Sequence, residues 1–184
     1  MTALTWDPRA TAVFLALPEL AAFTAPWRAT SYAPDQPNLT VERRFPPHVT
    51  VLAPFASADD LEAIGRLRTI AARHRALDLR FERAEQFEPG GAVWLAPEPA
   101  GQVMALLTDV IAGFPDHPPY GGRHLDPVPH LTVTTEGDAR TLAQVRSSLA
   151  QSGPLDATVT ELGVWQRDEN ETWQLVATAP LGAA

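Results

Sequence analysis

Hydrophobic positions along this 184-residue chain fall into short runs and alternating stretches separated by turn residues. Runs with the length and the β-branched or aromatic content of strands occur at 11–17, 47–54, 77–81 and 92–96, at 128–134 and, as a C-terminal hairpin, at 157–165 and 172–179. Apolar residues at helical spacing predict helices at about 57–74, 99–114 and 138–152, and at 19–29 a helix interrupted at Pro26. Ser57 and Asp138 are the predicted N-caps, and 30–44 is predicted to be a long loop.

The series of elements occurs twice along the chain. Residues 12–16 (AVFLA) recur as 92–96 (AVWLA) at an offset of 80, and residues 47–51 (PHVTV) recur as 129–133 (PHLTV) at an offset of 82. A weaker echo at an offset of 78 relates Leu77-Asp78, ending in Phe87, to Leu155-Asp156, ending in Trp165. Similar offsets in the same order predict two copies of one β-α-β-α-β unit, about 11–91 and 92–180, within one domain of residues 1–184 and related by a pseudo-two-fold axis.

The composition excludes several kinds of chemistry and partner. There is no cysteine and all 14 basic residues are Arg, which excludes thiol catalysis, Cys-ligated metals, Schiff bases and a P-loop lysine. The 22 acidic residues give a formal charge of −8, which argues against an extended nucleic-acid surface but leaves room for a small phosphorylated ligand. No signal peptide or membrane span is visible, so a cytoplasmic protein without a membrane partner is expected. Nothing fixes the oligomeric state, and a monomer is the default expectation.

The strongest chemical signal is the repeated Pro-His-x-Thr-Val motif. On a strand, side chains at i and i+2 face the same side, so His48 with Thr50, and His130 with Thr132, each present an imidazole beside a hydroxyl. If the duplication brings the two strands together, the result is a pocket for one phosphate. One neutral imidazole can take a proton from water while a protonated one gives a proton to the departing oxygen, and the hydroxyls can donate to the nonbridging oxygens. This chemistry requires no metal and no other cofactor.

Two other interpretations of these histidines remain open. Either one can be a hydrogen-bonded structural residue of a strand. A metal site built from His48, His130, His117 and His124 is also conceivable, although the sequence has no His-x-His, no H-E-x-x-H and no carboxylate at ligand spacing.

Residues for substrate selection are sought in the loops. Tyr120 and Arg123, in the Pro- and Gly-rich loop before the second motif, could contact a base and a second phosphate, or the loop could only turn the chain. Arg44, one of an Arg pair before the first motif, is a further candidate for substrate contact. Trp94 and Trp165 lie in predicted strands and are expected in the core rather than as stacking platforms.

The two H-x-T motifs, about eighty residues apart in a duplicated β/α pattern, resemble those of the 2H phosphoesterase superfamily, in particular its 2′-5′ RNA ligase-like, cyclic phosphodiesterase branch. The resemblance extends from about Val13 to Ala177. It implies an α+β fold of two lobes with mainly antiparallel sheets and a central cleft.

The resemblance also implies roles for the motif residues. His48 and His130 would be the acid/base pair, and Thr50 and Thr132 the phosphate-binding hydroxyls. The implied function is metal-independent hydrolysis of a 2′,3′-cyclic phosphate or a 2′-5′-linked nucleotide or RNA end, with RNA-end processing as the biological context. A non-catalytic nucleotide-binding protein and an RNA 2′-5′ ligase are the alternatives, and the resemblance does not say which histidine is the base.

Overall fold

The computed structural model describes residues 11–31, 46–88, 90–124, 126–168 and 172–183. Arg44 and the predicted loop from 32 onward lie outside these residues. The strands of the described part are β1 (Thr11–Ala16), β2 (His48–Leu52), β3 (Leu77–Gln86), β4 (Val93–Glu98), β5 (Leu131–Thr134), β6 (Leu155–Val159), β7 (Glu161–Arg167) and β8 (Trp173–Pro180). Its α-helices are α1 (Ala21–Ser31), α2 (Leu61–Ala71), α3 (Ala100–Gly113) and α4 (Ala139–Ser152), with short 3₁₀ turns at Pro18–Leu20 and Pro119–Gly122.

All the strands belong to one curled sheet with the order β6-β3-β4-β5-β2-β1-β7-β8, and every neighbouring pair is antiparallel. The predicted α+β class and the mainly antiparallel pairing are thereby confirmed. β2 and β5, the strands of the two motifs, pair at Val49 and Leu131 in the middle of the sheet. We call β2-β1-β7-β8 the β2 half and β6-β3-β4-β5 the β5 half.

Each half contains strands from both sequence repeats. β3 follows β2 along the chain but pairs with β4 and β6 in the β5 half, whereas β7 pairs with β1 in the β2 half. The single strand predicted at 157–165 is therefore wrong: it is two strands, β6 and β7, which part at Thr160 and extend opposite ends of the sheet. A hydrogen bond from the amide of Leu181 to the carbonyl of Thr160 (2.9 Å) holds the chain where β6 ends. Because each half contains strands of both repeats, the chain crosses between the halves and connects them.

The two faces of the sheet have different partners, because side chains alternate along each strand. The back face carries the main core, in which Val13, Val49, Leu131 and Val164 pack with buried residues of the helices. The opposite face, here called the front face, carries a smaller cluster of Ala12, Phe14, Ala53 and Trp173 with Trp165 beside it. Among the described residues, no helix has the length and apolar content needed to cross a membrane.

Three of the differences between predicted and observed boundaries have a local explanation. α2 is capped by Asp60, whose side chain accepts from the amide of Ala63 (2.9 Å), because Ser57 forms a preceding turn instead. Pro26 lies inside α1 and does not interrupt it, since the buried face of that helix continues past it to Arg28. β5 begins at Leu131, so the second motif histidine directly precedes its strand.

Candidate active site

The two H-x-T motifs lie side by side in the middle of the front face. Val49 and Leu131 are cross-strand partners and point into the back-face core, so the motif histidines and threonines on either side of them point forward. In an antiparallel pair this register puts His48 opposite Thr132 and Thr50 opposite His130. Directly opposed side chains have Cβ atoms about 5 Å apart and diagonal ones about 7–8 Å apart. The two imidazoles are therefore diagonal neighbours on the front face of the β2–β5 pair.

Both imidazoles are held in the same way. Nδ1 of His48 lies 2.7 Å from the carbonyl oxygen of Pro46, and Nδ1 of His130 lies 2.7 Å from that of Val128, two residues earlier in each case. A carbonyl oxygen only accepts, so Nδ1 carries the proton in both rings. In a neutral ring Nε2 is then the unprotonated nitrogen, so it is the ring atom that can accept a proton.

The pKa values of the two histidines are both lowered from 6.5. Burial, then the positive charge of Arg28, and to a smaller extent His130, lower the pKa of His48 to about 3, against the opposing hydrogen bond to Pro46. The pKa of His130 is lowered by burial and by His124, against its hydrogen bond to Val128. Both rings are therefore neutral at pH 7 in the free protein, and an anion between them would favour protonation of one.

Aromatic rings surround both histidines. The ring centroid of Phe14 lies 4.1 Å from that of His48, and the ring of Trp94 lies 6.0 Å from that of His130. Phe87 meets His130 edge-on at 4.8 Å and stacks on Trp94 at 5.1 Å. Trp94 is buried as expected, at 6% exposure, but it lies beside a candidate catalytic group on the front face. Phe14 and Trp94 occupy corresponding positions in the repeated segments 12–16 and 92–96.

Tyr120 is brought to the first motif by an unusual turn. It is the one non-glycine residue of the described part with a positive φ (51°), and its amide donates to the carbonyl of Ala53 (2.6 Å) at the end of β2. Burial raises the pKa of the Tyr120 hydroxyl, and a hydrogen bond with the Thr50 side chain opposes that rise. Arg123, three residues on, is exposed. The structure therefore brings Tyr120, and not Arg123, against a motif side chain.

Arg28 on α1 was missed by the sequence analysis. Its side chain is 1% exposed and its charge acts on His48. A signal was available, because Leu20, Thr24 and Arg28 recur every four residues and all three are buried, which puts a guanidinium on the inward face of a helix.

Two further features bear on the arrangement. Among the residues that the structure describes, no three His, Asp or Glu side chains are grouped as metal ligands.

A groove of about 920 Å³ runs between the end of β3 and α4, lined among others by Phe87, Leu142 and Arg146. None of the four motif side chains lines it, so it lies beside the candidate site and not over it.

Comparison with known proteins supplies an independent result. The sequence profile of the 2′-5′ RNA ligase superfamily matches residues 16–171. A Bacillus cytotoxicus protein named "putative phosphoesterase" is 28% identical over 141 residues, which is 74% of this chain and 80% of that protein. The crystal structure of E. coli LigT complexed with 3′-AMP superimposes with a TM-score of 0.61 at 19% identity, covering 95% of this chain and 99% of LigT. LigT complexed with NADP⁺ gives 0.57 at 19% identity, covering 96% and 99%.

Proposed function

The chain belongs to the 2′-5′ RNA ligase superfamily, the 2H phosphoesterases, and from this premise we propose that it hydrolyses a 2′,3′-cyclic phosphate or a 2′-5′-linked nucleotide or RNA end without a metal. His48 and His130 are the acid/base pair of this proposal. Thr50 and Thr132 are its phosphate-binding hydroxyls.

The observation that supports this proposal most strongly is the matched geometry of the two motifs. In both motifs Nδ1 is anchored to the carbonyl two residues earlier, so both neutral imidazoles have Nε2 as their proton-accepting nitrogen. Structural histidines have no need of such pairing on one face of adjacent strands. Two hydroxyls on that face can donate to the nonbridging oxygens and hold the phosphorus between the rings.

The reaction follows from what these groups can do. One imidazole accepts a proton from water as the water oxygen bonds to phosphorus, and the other, protonated, donates its proton to the ribose oxygen as the P–O bond breaks. An in-line displacement has the entering and leaving oxygens on opposite sides of phosphorus, so it needs two proton-transfer groups at different positions, as the diagonal placement of the two imidazoles provides. The product is a phosphomonoester, and solvent restores the starting protonation states.

A small nucleotide or the end of an RNA is the proposed substrate. The LigT structures similar to this chain contain 3′-AMP and NADP⁺, which are nucleotides of that size. The formal charge of −8 disfavours a large polyanionic footprint. A reducing cytoplasm is the proposed location, for which the absence of cysteine is the support.

The test is turnover of a substrate panel in excess EDTA. The panel contains 2′,3′-cyclic mononucleotides, ADP-ribose 1″,2″-cyclic phosphate and 2′-5′ oligonucleotides, and the products are identified by ³¹P NMR. We expect hydrolysis of at least one class, undiminished by EDTA. Tight binding without turnover across the whole panel would instead indicate a nucleotide-binding protein, and a requirement for a divalent ion would exclude the mechanism.

A matched control shows whether a loss of activity is specific to the motif histidines or follows from the loss of any imidazole. His74 contacts Asp109 through Nε2 (3.0 Å), away from both motifs. We expect His74→Ala to retain the wild-type rate and His48→Ala or His130→Ala to lose it. Full activity in either motif variant would refute the proposed function.

A further inference from the structure

A third imidazole, that of His124, lies beside the motif pair. Its ring meets that of Tyr120 edge-on, with 5.3 Å between the centroids. Tyr120 is itself tied to β2, because its amide donates to the carbonyl of Ala53 and its hydroxyl hydrogen-bonds the Thr50 side chain. The register of β2 and β5 puts Thr50 opposite His130, and the charge of His124 acts on His130. His124 is thus placed at the end of the motif pair where Thr50 and His130 lie, here called the His130 end.

The backbone before His124 has a defined conformation. Tyr120 adopts a positive φ of 51°, and Gly121 and Gly122 follow with φ of 64° and 81°. A residue with a Cβ rarely adopts this conformation, which persists where the surrounding structure imposes it. The amide of Arg123 donates to the carbonyl of Tyr120 (3.4 Å) and closes the turn. His124 therefore follows directly from a turn that is fixed to the end of β2.

The imidazole of His124 is accessible to a ligand. The residue is exposed, and none of the ion pairs within the described part of the chain involves it. An imidazole donates from one nitrogen when neutral and from both when protonated, and its hydrogen bonds to phosphate are strengthened by the charge. His130 is partly exposed, whereas His48 is only 8% exposed. A substrate that extends out of the site past His130 therefore meets His124.

Building on the proposed function, we propose that His124 binds a second phosphate of the substrate, the one on the 5′ oxygen of the ribose that carries the cyclic phosphate. The candidate substrates differ in this feature. ADP-ribose 1″,2″-cyclic phosphate and an RNA end with a 2′,3′-cyclic phosphate both have a phosphate at that oxygen. A 2′,3′-cyclic mononucleotide with a free 5′-hydroxyl has none. The substrate class is therefore cyclic phosphates on a 5′-phosphorylated ribose.

A second phosphate needs a local donor of this kind because the chain as a whole is acidic. Its formal charge of −8 repels a doubly phosphorylated ligand more strongly than a singly phosphorylated one. Of the four side chains placed at the His130 end, the hydroxyls of Thr50 and Tyr120 bond to each other, and His130 serves the reacting phosphate in the proposed function. His124 is the fourth, and it can carry the positive charge that offsets a second phosphate.

A pair of substrates tests the proposal. The wild type is assayed in excess EDTA with 2′,3′-cyclic AMP and with the same nucleotide phosphorylated at its 5′ oxygen, and the ratio of the second kcat/KM to the first is measured. We expect a ratio of about five, the upper range for an exposed charge pair. The ratio should fall toward one as the salt concentration rises, because salt screens exposed charges.

Two variants distinguish a phosphate contact from a packing role. His124→Arg keeps a positive charge and donors without the imidazole, and it should keep a ratio well above one. His124→Phe keeps an aromatic ring against Tyr120 without charge or donor, and its ratio should fall to about one. If His124 only packs on Tyr120, the two variants will behave in the opposite way, and that result would overturn the proposal.

The matched control is an imidazole earlier in the same loop. The ring of His117 lies against that of Phe55, with 6.3 Å between the centroids, and His117→Phe should keep the wild-type ratio. A fall as large as that of His124→Phe would overturn the proposal. So would a wild-type ratio at or below one, or turnover confined to the other substrates of the panel, and both results would leave the hydrolytic function intact. A wild type that turns over no substrate of the panel would instead refute the proposed function itself.

Discussion

The His48 and His130 sides of the front face share a sequence motif and an anchoring hydrogen bond but differ in their surroundings. The ring of Phe14 packs against His48, and the charge of the buried Arg28 acts on it. His130 stands at a more open edge beside an exposed phenylalanine. The repeated motif supplies two equivalent imidazoles, whereas the proposed hydrolysis needs one base and one acid. Different surroundings can give two identical side chains different pKa values and therefore different roles in proton transfer.

The largest expected effect concerns what the two sides share. His48→Ala and His130→Ala should each lower kcat/KM by about 10³-fold, because general acid or base catalysis contributes roughly 10²–10⁴-fold. The double variant should be little worse than either single one, because the two groups act as a unit. Steady-state kinetics of all three with one cyclic nucleotide would check this, and a multiplicative loss in the double variant would mean that the histidines work independently.

The motif side chains were predictable from the sequence, and their surroundings were not. Alternation on a strand fixes which way His48 and Thr50 point once the strand is recognised, and the duplication supplies their partners. Residues 157–165 belong to two strands that lie toward opposite ends of the sheet. The local sequence pattern does not encode this division, because it depends on pairing with strands that are distant along the chain. Tyr120 could be named as a candidate, but its contact with Thr50 arises from a strained turn that only the folded chain imposes.

A smaller effect should distinguish the two threonines. Thr50→Val and Thr132→Val each remove a hydroxyl that, in the proposed function, donates to a charged phosphate, so each should cost about 10- to 100-fold in kcat/KM. The side chain of Thr50 hydrogen-bonds Tyr120. A double-mutant cycle with Tyr120→Phe should therefore show coupling of about 1 kcal/mol for Thr50→Val and additivity within about 0.5 kcal/mol for Thr132→Val. Equal coupling to both threonines would mean that Tyr120 acts on the site as a whole.

The pH dependence of stability should also differ between the sides. The pKa of His48 is about 3 in the folded protein and 6.5 without its surroundings, so between these pH values the unfolded chain binds the proton more strongly and stability falls as the pH falls. From pH 7 to 5 the loss due to this group should be about 2 kcal/mol. Urea unfolding should show that loss reduced in His48→Asn. The reduction should be smaller in His130→Asn, whose histidine is the more exposed, and equal reductions would contradict the difference in burial.

The smallest effect separates charge from burial on the His48 side. Arg28→Met removes a positive charge that lowers the pKa of His48 but leaves the burial that lowers it most, so this pKa should rise while staying below 6.5. The pKa of His130 should not move, because burial and His124 lower it and Arg28 does not. Titration of the imidazole Cε1–H signals by NMR would measure both, with the exposed Arg123→Met as the control for loss of a guanidinium. A parallel rise at both histidines would mean that Arg28 acts on the site through its overall charge or its fold. A rise confined to His48 would show that Arg28 adds to the effect of burial in keeping this imidazole unprotonated, and that its charge acts on one of the two motif histidines only.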